Sequence, residues 1–286
     1  MKPDRVMRNG DTSARHRTVS MLARQRQARI LEEVRRVGGV RVSELTVLLG
    51  VSDMTIRRDL DQLSAAGAIQ KVHGGAVLGS RVSEEPGFEA KSELAQPAKQ
   101  AITARAARMI APGTAIALSA GTTTWALARH VAAIPALTVV TNSTAVADAI
   151  AASGNGKQTV ILTGGVRTPS AALVGPVADA TIRSLHFDQL FLGVHGMDPI
   201  AGFTTPNLAE AETNRSLIER AQAVIVLADS SKWGTVGLAD FGPLSTADIL
   251  VTDDNLPEQA RTVLDEAVGE LIVVPATTST TAGSRP

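Results

Sequence analysis

Two sets of residues in this chain have the types and spacing to handle anions. The first is VSDMTIRRDL, Val51 to Leu60, in which Arg57 and Arg58 stand side by side in a short amphipathic run. A guanidinium is a planar fork of donors that addresses O6 and N7 of guanine bidentately or holds a phosphate oxygen. The second set is spread over the later chain. It comprises SAGTTTWALARH (Ser119 to His130), LTGG ending in Gly164 and Gly165, LGVHGM around His195, and ADSSKWG with Lys232. A turn at Gly121 that frees backbone N–H groups, the hydroxyls of Thr122, Thr123 and Thr124, and a helix N-terminus are the parts of an anion cradle. A Gly-Thr-Thr start is also often a plain helix cap, and Gly164-Gly165 a plain turn. His195 either does acid–base work or only hydrogen-bonds a hydroxyl, and Lys232 is either a ligand cation or a solvated surface lysine.

The elements that must position the arginines are legible around them. Ile30, Leu31, Val34 and Val37 recur at helical spacing from Leu22 to Val37, and Gly38-Gly39 stops that helix. Ser43 suits the N-cap of a second short helix with Leu45, Leu48 and Leu49 inward, and Gly50 suits its end. Ser52 caps a third helix running to about Ala66 and terminated by Gly67, with Ile56, Leu60 and Leu63 as its buried stripe. AIQKVHGGAVLG then reads as a β-hairpin around Gly74-Gly75. Three helices and a hairpin make a winged helix-turn-helix, whose third helix enters the major groove.

With that stripe inward, Ser52, Asp53, Thr55, Arg58 and Gln62 lie on or near the outward side, flanked by Met54 and Arg57. The bland reading of the arginines is a solvated face with an Arg57–Asp61 pair; the capped turn, the hairpin and the local charge weigh against it. Lys71 and His73 near the hairpin tip either reach the DNA backbone or minor groove or, for His73, pack beside the glycine turn. Ser43, Ser52, Asp53, Thr55, Arg57, Arg58, Lys71 and His73 form the expected DNA-contacting set. Residues 1–87 contain no Tyr, Phe or Trp, which argues against base stacking and for duplex DNA.

The net charge of zero hides an asymmetry. Residues 1–80 hold 14 Lys/Arg against 8 Asp/Glu, a balance of +6, and residues 81–286 hold 14 against 20, a balance of −6. A basic first quarter fits nucleic acid. Cysteine is absent, which excludes disulfides, thiolate metal sites and cysteine nucleophiles. No apolar run approaches a spanning helix and the first 20 residues have no apolar signal core, so the expectation is a cytoplasmic protein without membrane, metal or cofactor. Residues 1–20 and 276–286 read as disordered tails, with Met21 an alternative start, and 79–97 as a linker.

From Ala98 the pattern changes. Strand-like runs at 114–118, 137–141, 159–163, 189–194, 223–228, 248–252 and 270–274 alternate with helical segments at 98–110, 123–133, 144–152, 176–185, 207–221 and 257–267. Near-continuous apolar strands between helices predict an α/β domain with a mostly parallel sheet covered on both faces, binding ligands beyond the strands' carboxyl ends.

The stretch LARQRQARILEEVRRVGGVRVSELTVLLGVSDMTIRRDLDQLSAAGAIQKVHGGAVL resembles the DNA-binding domain of the DeoR family of bacterial transcription regulators. VSDMTIRRDL and VHGGA carry most of the match, which continues through GTTT, VTNS, LVGP, GFTTP and LADSSKWG over about 21 to 275. The resemblance implies a winged helix-turn-helix at 21–78 and a sensor domain at 98–275 similar in fold to ribose-5-phosphate isomerase. It also implies a phosphorylated sugar as effector and repression of carbohydrate genes relieved by that effector. Ser119, Gly121, Thr122, Thr123, Thr124, Gly164, Gly165, His195 and Lys232 are the effector-binding set. The chain departs from the family at Ser119, usually aspartate, at His195, usually acidic, and at Asn214, often lysine; AEAETNRSLIER also offers Glu210 and Glu212. These departures leave the acid–base set incomplete and favour a sensor over an enzyme. The expected protein is a homo-oligomeric regulator, dimer or tetramer, on double-stranded operator DNA. The runner-up is a sugar-phosphate isomerase or deaminase fused to a DNA-binding arm, and a third reading is an architectural DNA binder.

Overall fold

The structure, a computed structural model, describes residues 23–37, 39–65, 69–72, 74–78, 87–152 and 158–276. The tail at 1–20, the end of the third helix at Ala66-Gly67, His73, most of the linker and residues 277–286 lie outside the described residues.

The N-terminal unit runs α1 (Ala23–Val37), β1 (Gly39–Arg41), α2 (Val42–Leu49), α3 (Asp53–Ala65), β2 (Ile69–Val72) and β3 (Gly75–Leu78). Ile30 and Val34 of α1, Leu45 of α2 and Ile56, Leu60 and Leu63 of α3 close one small core over the sheet. The sequence reading held a two-stranded hairpin; the sheet has three strands in the order β1-β3-β2, all antiparallel. Only two residues separate the glycine pair at 38–39 from α2, so β1 leaves almost no periodicity to read. Its presence gives the second glycine of the hairpin its reason, because a Cβ on Gly75 would lie 2.1 Å from the Val40 carbonyl oxygen. Gly74 alone takes the turn conformation, at φ +81°.

The start of α2 differs from the expectation at Ser43. The helix begins at Val42, whose N–H donates to the Gly74 carbonyl at 2.8 Å, and the extended Arg41 precedes it. The Glu44 carboxylate accepts the Arg41 N–H at 3.0 Å. Ser43 therefore sits inside the first turn, where its carbonyl accepts from Thr46 Oγ1 at 2.6 Å. Leu48, expected inward, is half exposed, because a helix of this length turns one stripe to the core and Val42, Leu45 and Leu49 supply it. Gly50 ends α2 at φ +64°, and Ser52 Oγ accepts the Thr55 N–H at 3.3 Å to cap α3.

Residues 87–97, read as the end of the linker, carry α4 (Phe88–Glu93) and the start of α5 (Gln96–Ala107). Phe88 packs edge-on against Trp125, ring centres 5.8 Å apart, which anchors α4 to the next unit. Pro97 lies in the first turn of α5, where its missing N–H costs nothing.

The chain continues through β4 (Ala115–Leu118), α6 (Thr122–Val131), β5 (Thr138–Thr141), α7 (Thr144–Ala152) and β6 (Thr159–Leu162). It then runs through β7 (Val166–Arg167), β8 (Leu173–Val174), α8 (Pro176–Arg183), β9 (Phe187–Gly193), β10 (Gly196–Asp198), β11 (Gly202–Thr205) and α9 (Leu208–Arg220). It ends with β12 (Ala221–Leu227), β13 (Ala239–Gly242), β14 (Ile249–Asp253), α10 (Glu258–Ala267) and β15 (Glu270–Val274). Seven strands form one parallel sheet in the order β15-β14-β12-β9-β4-β5-β6. Alternate residues face two cores: Leu190, Leu192, Val224 and Val226 on one side, Phe191, Ile225, Leu227 and Val251 on the other. Burial on both faces is why the strands read as unbroken apolar runs. The small antiparallel sheet β10-β11-β13 and the hairpin β7-β8 went unread, since strands of two to four residues are too short to show an alternation.

Candidate functional site

The exposed face of α3 is the first candidate. Arg57 Nε donates to Asp53 Oδ1 at 2.7 Å, so its partner is one turn back instead of the expected Asp61. Asp61 is engaged by Lys71 Nζ of the wing at 2.5 Å. A carboxylate in the first turn of a helix is favoured by the helix dipole, which suits Asp53 to its place. Both pairs are open to solvent, so DNA phosphates can displace their carboxylates at little cost. Arg58 is exposed and has no ion-pair partner among the described residues.

Asp59, one residue on, is buried and bonded to Arg26, through Nε and through Nη2 at 3.1 Å, and to Gln27 Nε2 at 3.3 Å. These contacts lock α3 onto α1. Nothing in local periodicity announces them, because the partners stand 33 and 32 residues apart.

The second candidate is a cleft at the carboxyl ends of β4 and β9. There the strand order departs in two directions, β4-β5-β6 one way and β9-β12-β14-β15 the other. Such a switch point leaves a crevice because the flanking connections run to opposite sides. Gly121, Thr122, Thr123, His195 and Lys232 of the expected set all line it. Gly121 has φ +148° and opens α6, so the first N–H groups of that helix face the cleft with Thr122 and Thr123.

Four expected residues do not line it. Ser119 is buried, and its Oγ accepts the Gly193 N–H at 3.0 Å, lacing the end of β4 to the end of β9. Thr124 is fully buried and donates to the Gly121 carbonyl at 3.0 Å. Gly164 and Gly165, at φ +71° and +115°, make the turn after β6. A Cβ on Gly165 would approach the Val174 carbonyl to 2.6 Å, which gives it a packing reason to be glycine.

The cleft also recruits residues outside the expected set. Phe88 and Lys91 come from α4, Asn142 from the end of β5, and Glu210 and Asn214 from α9. Glu210 accepts from Thr168 Oγ1 at 2.7 Å, from Ser170 Oγ, and from Thr205 Oγ1 at 3.2 Å. Asn142 Oδ1 accepts the Ala120 N–H at 2.8 Å and so fixes the glycine turn. Glu212 is exposed and pairs with Arg215 at 3.0 Å. The motifs VTNS and AEAE were the available signals for Asn142 and Glu210; Lys91 had none, because it lay in a segment that looked like linker.

Electrostatics set the character of this cleft. Burial disfavours a charged Asp229, yet Lys232 at 3.8 Å, the Ser231 hydroxyl and Lys99 together hold its carboxyl below the usual range. Lys99 is buried and donates to the Lys91 carbonyl at 2.6 Å. Burial pushes its ammonium down to about 8; Asp229 opposes the shift, while Lys232 and Lys91 add to it. His195 is pushed down to about 3, first by burial and then by Lys91 and Lys232. Its imidazole is therefore neutral near pH 7, suited to hydrogen-bonding a hydroxyl and not to shuttling protons. Lys99 and Lys232 both act on the buried Asp229, and Lys91 lines the cleft with Lys232, a set of cations that suits an anionic guest. Among the described residues no group of three or more His, Cys, Asp or Glu could hold a metal ion, and no helix is long and apolar enough to cross a membrane.

Residues 26–82 match the DeoR-like helix-turn-helix domain and residues 95–254 the DeoR C-terminal sensor domain. The chain belongs to the DeoR family of transcription regulators. It is 38% identical to the HTH-type transcriptional regulator YgbI of Escherichia coli strain K12, over 85% of this chain and 95% of that one. It is 30% identical to the transcriptional repressor AccR of Agrobacterium fabrum, over 82% and 94% of the two chains. Ribose 5-phosphate isomerase A of Methanocaldococcus jannaschii shares part of the fold at a TM-score of 0.35 and 13% identity, over 47% of this chain and 53% of that chain. The last likeness is too distant to speak for activity or ligand. The family membership makes this DeoR-type chain a DNA-binding regulator and not an enzyme.

Proposed function

We propose that this regulator represses carbohydrate genes and is controlled by a phosphorylated sugar held in the β4–β9 cleft. The observation that carries the reading is that Lys91, Lys232 and the first residues of α6 line the same crevice as Glu210, Asn214 and Asn142. The cations and helix N–H groups suit a phosphate, and the carboxylate and amides suit sugar hydroxyls. The name of AccR supports repression, as does the family resemblance.

In this reading the DNA arm spans 21–78 and the sensor 98–275, with α4 and the start of α5 belonging physically to the sensor. Ser52, Asp53, Thr55, Arg57, Arg58 and Lys71 face duplex operator DNA, and the chain works in the cytoplasm as a homo-oligomer because a symmetric operator requires a symmetric protein. Only nine residues, 79–87, separate β3 of the wing from α4, which bears Phe88 and Lys91 in the cleft. An effector that grips Lys91 would thereby bias one arrangement of the DNA arms through its differential affinity for the two arrangements. The competing enzyme reading fares worse, since His195, pushed down to about 3, is too weak a base to shuttle protons near pH 7.

A thermal-shift screen of pentose and hexose phosphates against the full chain tests the proposal, with each hit retested for release of the protein from its own upstream DNA. A stabilising sugar phosphate that also releases DNA is the expected result. Stabilisation by none, or turnover of a sugar phosphate abolished in His195→Ala or Lys232→Ala, would sink the pure-sensor view.

A further inference from the structure

The recognition helix α3 has one residue out of character. Ile56, Leu60 and Leu63 are buried, and steps of about 100° per residue then place Met54, Arg58 and Asp61 on the opposite stripe, at i, i+4 and i+7. Arg58 and Asp61 are ordinary there. Met54 is apolar and 81% exposed, facing directly away from the core. It is the second residue of the helix, and in a helix-turn-helix the first residues of the third helix are those that meet base edges.

Its neighbours suit the approach of DNA. Arg57 pairs with Asp53 at 2.7 Å, which neutralises the carboxylate beside Met54 that would otherwise repel phosphates. Arg58, one turn further along the same stripe, is exposed and has no ion-pair partner among the described residues. What Met54 lacks is an apolar partner. The edge of a base pair in the major groove is polar except for one group, the C5-methyl of thymine. A thioether side chain is unbranched and polarizable, and it adapts its rotamer to such a contact.

We propose that Met54 is a specificity residue that reads a thymine methyl group in the major groove of each operator half-site. The inference rests on α3 being the element that enters the groove. It assigns thymine to the base step under the helix N-terminus, with the phosphate or guanine contact of Arg58 one turn along.

The test uses the full-length chain. Duplexes are selected from a random library by the wild-type protein, and each thymine of the selected sequence is then replaced singly by deoxyuridine, which removes only the methyl group. At one thymine per half-site the replacement should weaken wild-type binding about fourfold, the worth of one buried methyl. Met54→Ala should bind the thymine and uracil duplexes equally, and Met54→Leu should keep the discrimination. Wild-type binding indifferent to uracil at every position overturns the proposal. So does a Met54→Ala protein that keeps the wild-type thymine preference. The uracil series on the wild type does not depend on any variant folding, and melting curves show whether the two variants fold. A wild-type protein that enriches no sequence at all would overturn groove entry by α3, and Met54 reading with it.

Discussion

The two halves of this regulator handle positive charge in opposite ways. On the DNA-facing side of the arm, apart from the Arg26–Asp59 pair that locks α3 onto α1, cations are exposed and lent to carboxylates, Arg57 to Asp53 and Lys71 to Asp61. In the sensor Lys99 is buried, Lys232 is three-quarters covered, and the carboxylate they share, Asp229, is fully enclosed. Solvent screens the first kind, so those pairs contribute little to stability and exchange readily for phosphates. The second kind resists solvation and acts strongly on whatever enters. Regional net charge misleads here: the cleft proposed to take a phosphate lies in the part of the chain with a balance of −6. Position, and not count, makes the site.

The largest expected effect tests the buried half. Lys232→Ala should weaken binding of the sugar phosphate found by the screen about 30- to 150-fold, the worth of a charge-assisted hydrogen bond of about 2–3 kcal/mol. Isothermal titration calorimetry reads it directly, and an unchanged dissociation constant would remove the lysine from the ligand. Arg58→Ala comes next, with specific DNA binding reduced about tenfold. If Arg58 holds phosphate, the slope of log affinity against log salt should also fall by about 1. Arg57→Ala should cost less than Arg58→Ala, because Arg57 must leave Asp53 before it can serve DNA. Equal losses in the two variants would erase the distinction between lent and free cations.

The smallest effect is a pH profile. Lys99, at about 8, loses its charge as pH rises through that value. Effector affinity should decline from pH 7 to pH 9 by a few-fold, and Lys99→Met should flatten that decline while the wild type keeps it. The stability sign runs the other way. A folded value below the model-peptide 10.5 means that the unfolded chain binds more protons between about 8 and 10.5, so this group's penalty on the fold is relieved as pH rises through that window. A flat binding profile in the wild type would show that Lys99 is too remote to act on the ligand.

Sequence legibility differed between the halves for the same physical reason. Short-range patterns survived. The stripe Ile56, Leu60 and Leu63, the cap at Ser52, the stop at Gly50 and seven apolar strands are each written within a few neighbouring residues, and the structure places them there. Ser43 failed as a cap because a strand of three residues and a carbonyl from the distant Gly74 start that helix instead. Gly121, Thr122 and Thr123 come to the cleft together because one turn holds all three. Ser119 is absent from the cleft lining, since only the register of β4 beside β9 decides that its hydroxyl faces the Gly193 N–H.

What the sequence determined by itself was the kind of protein: a basic helix-turn-helix with a wing, joined to a parallel α/β domain with glycine turns at its strand ends. Composition and periodicity suffice for that, because helices and strands bury their apolar faces by local rules. The tertiary structure decided which cations matter and in what state. It brought Lys91 out of an apparent linker, set Lys99 and Lys232 around Asp229, and held His195 neutral. Those outcomes depend on solvent exclusion and on contacts such as that of Lys99 with Asp229, about 130 positions apart, and no local pattern carries them.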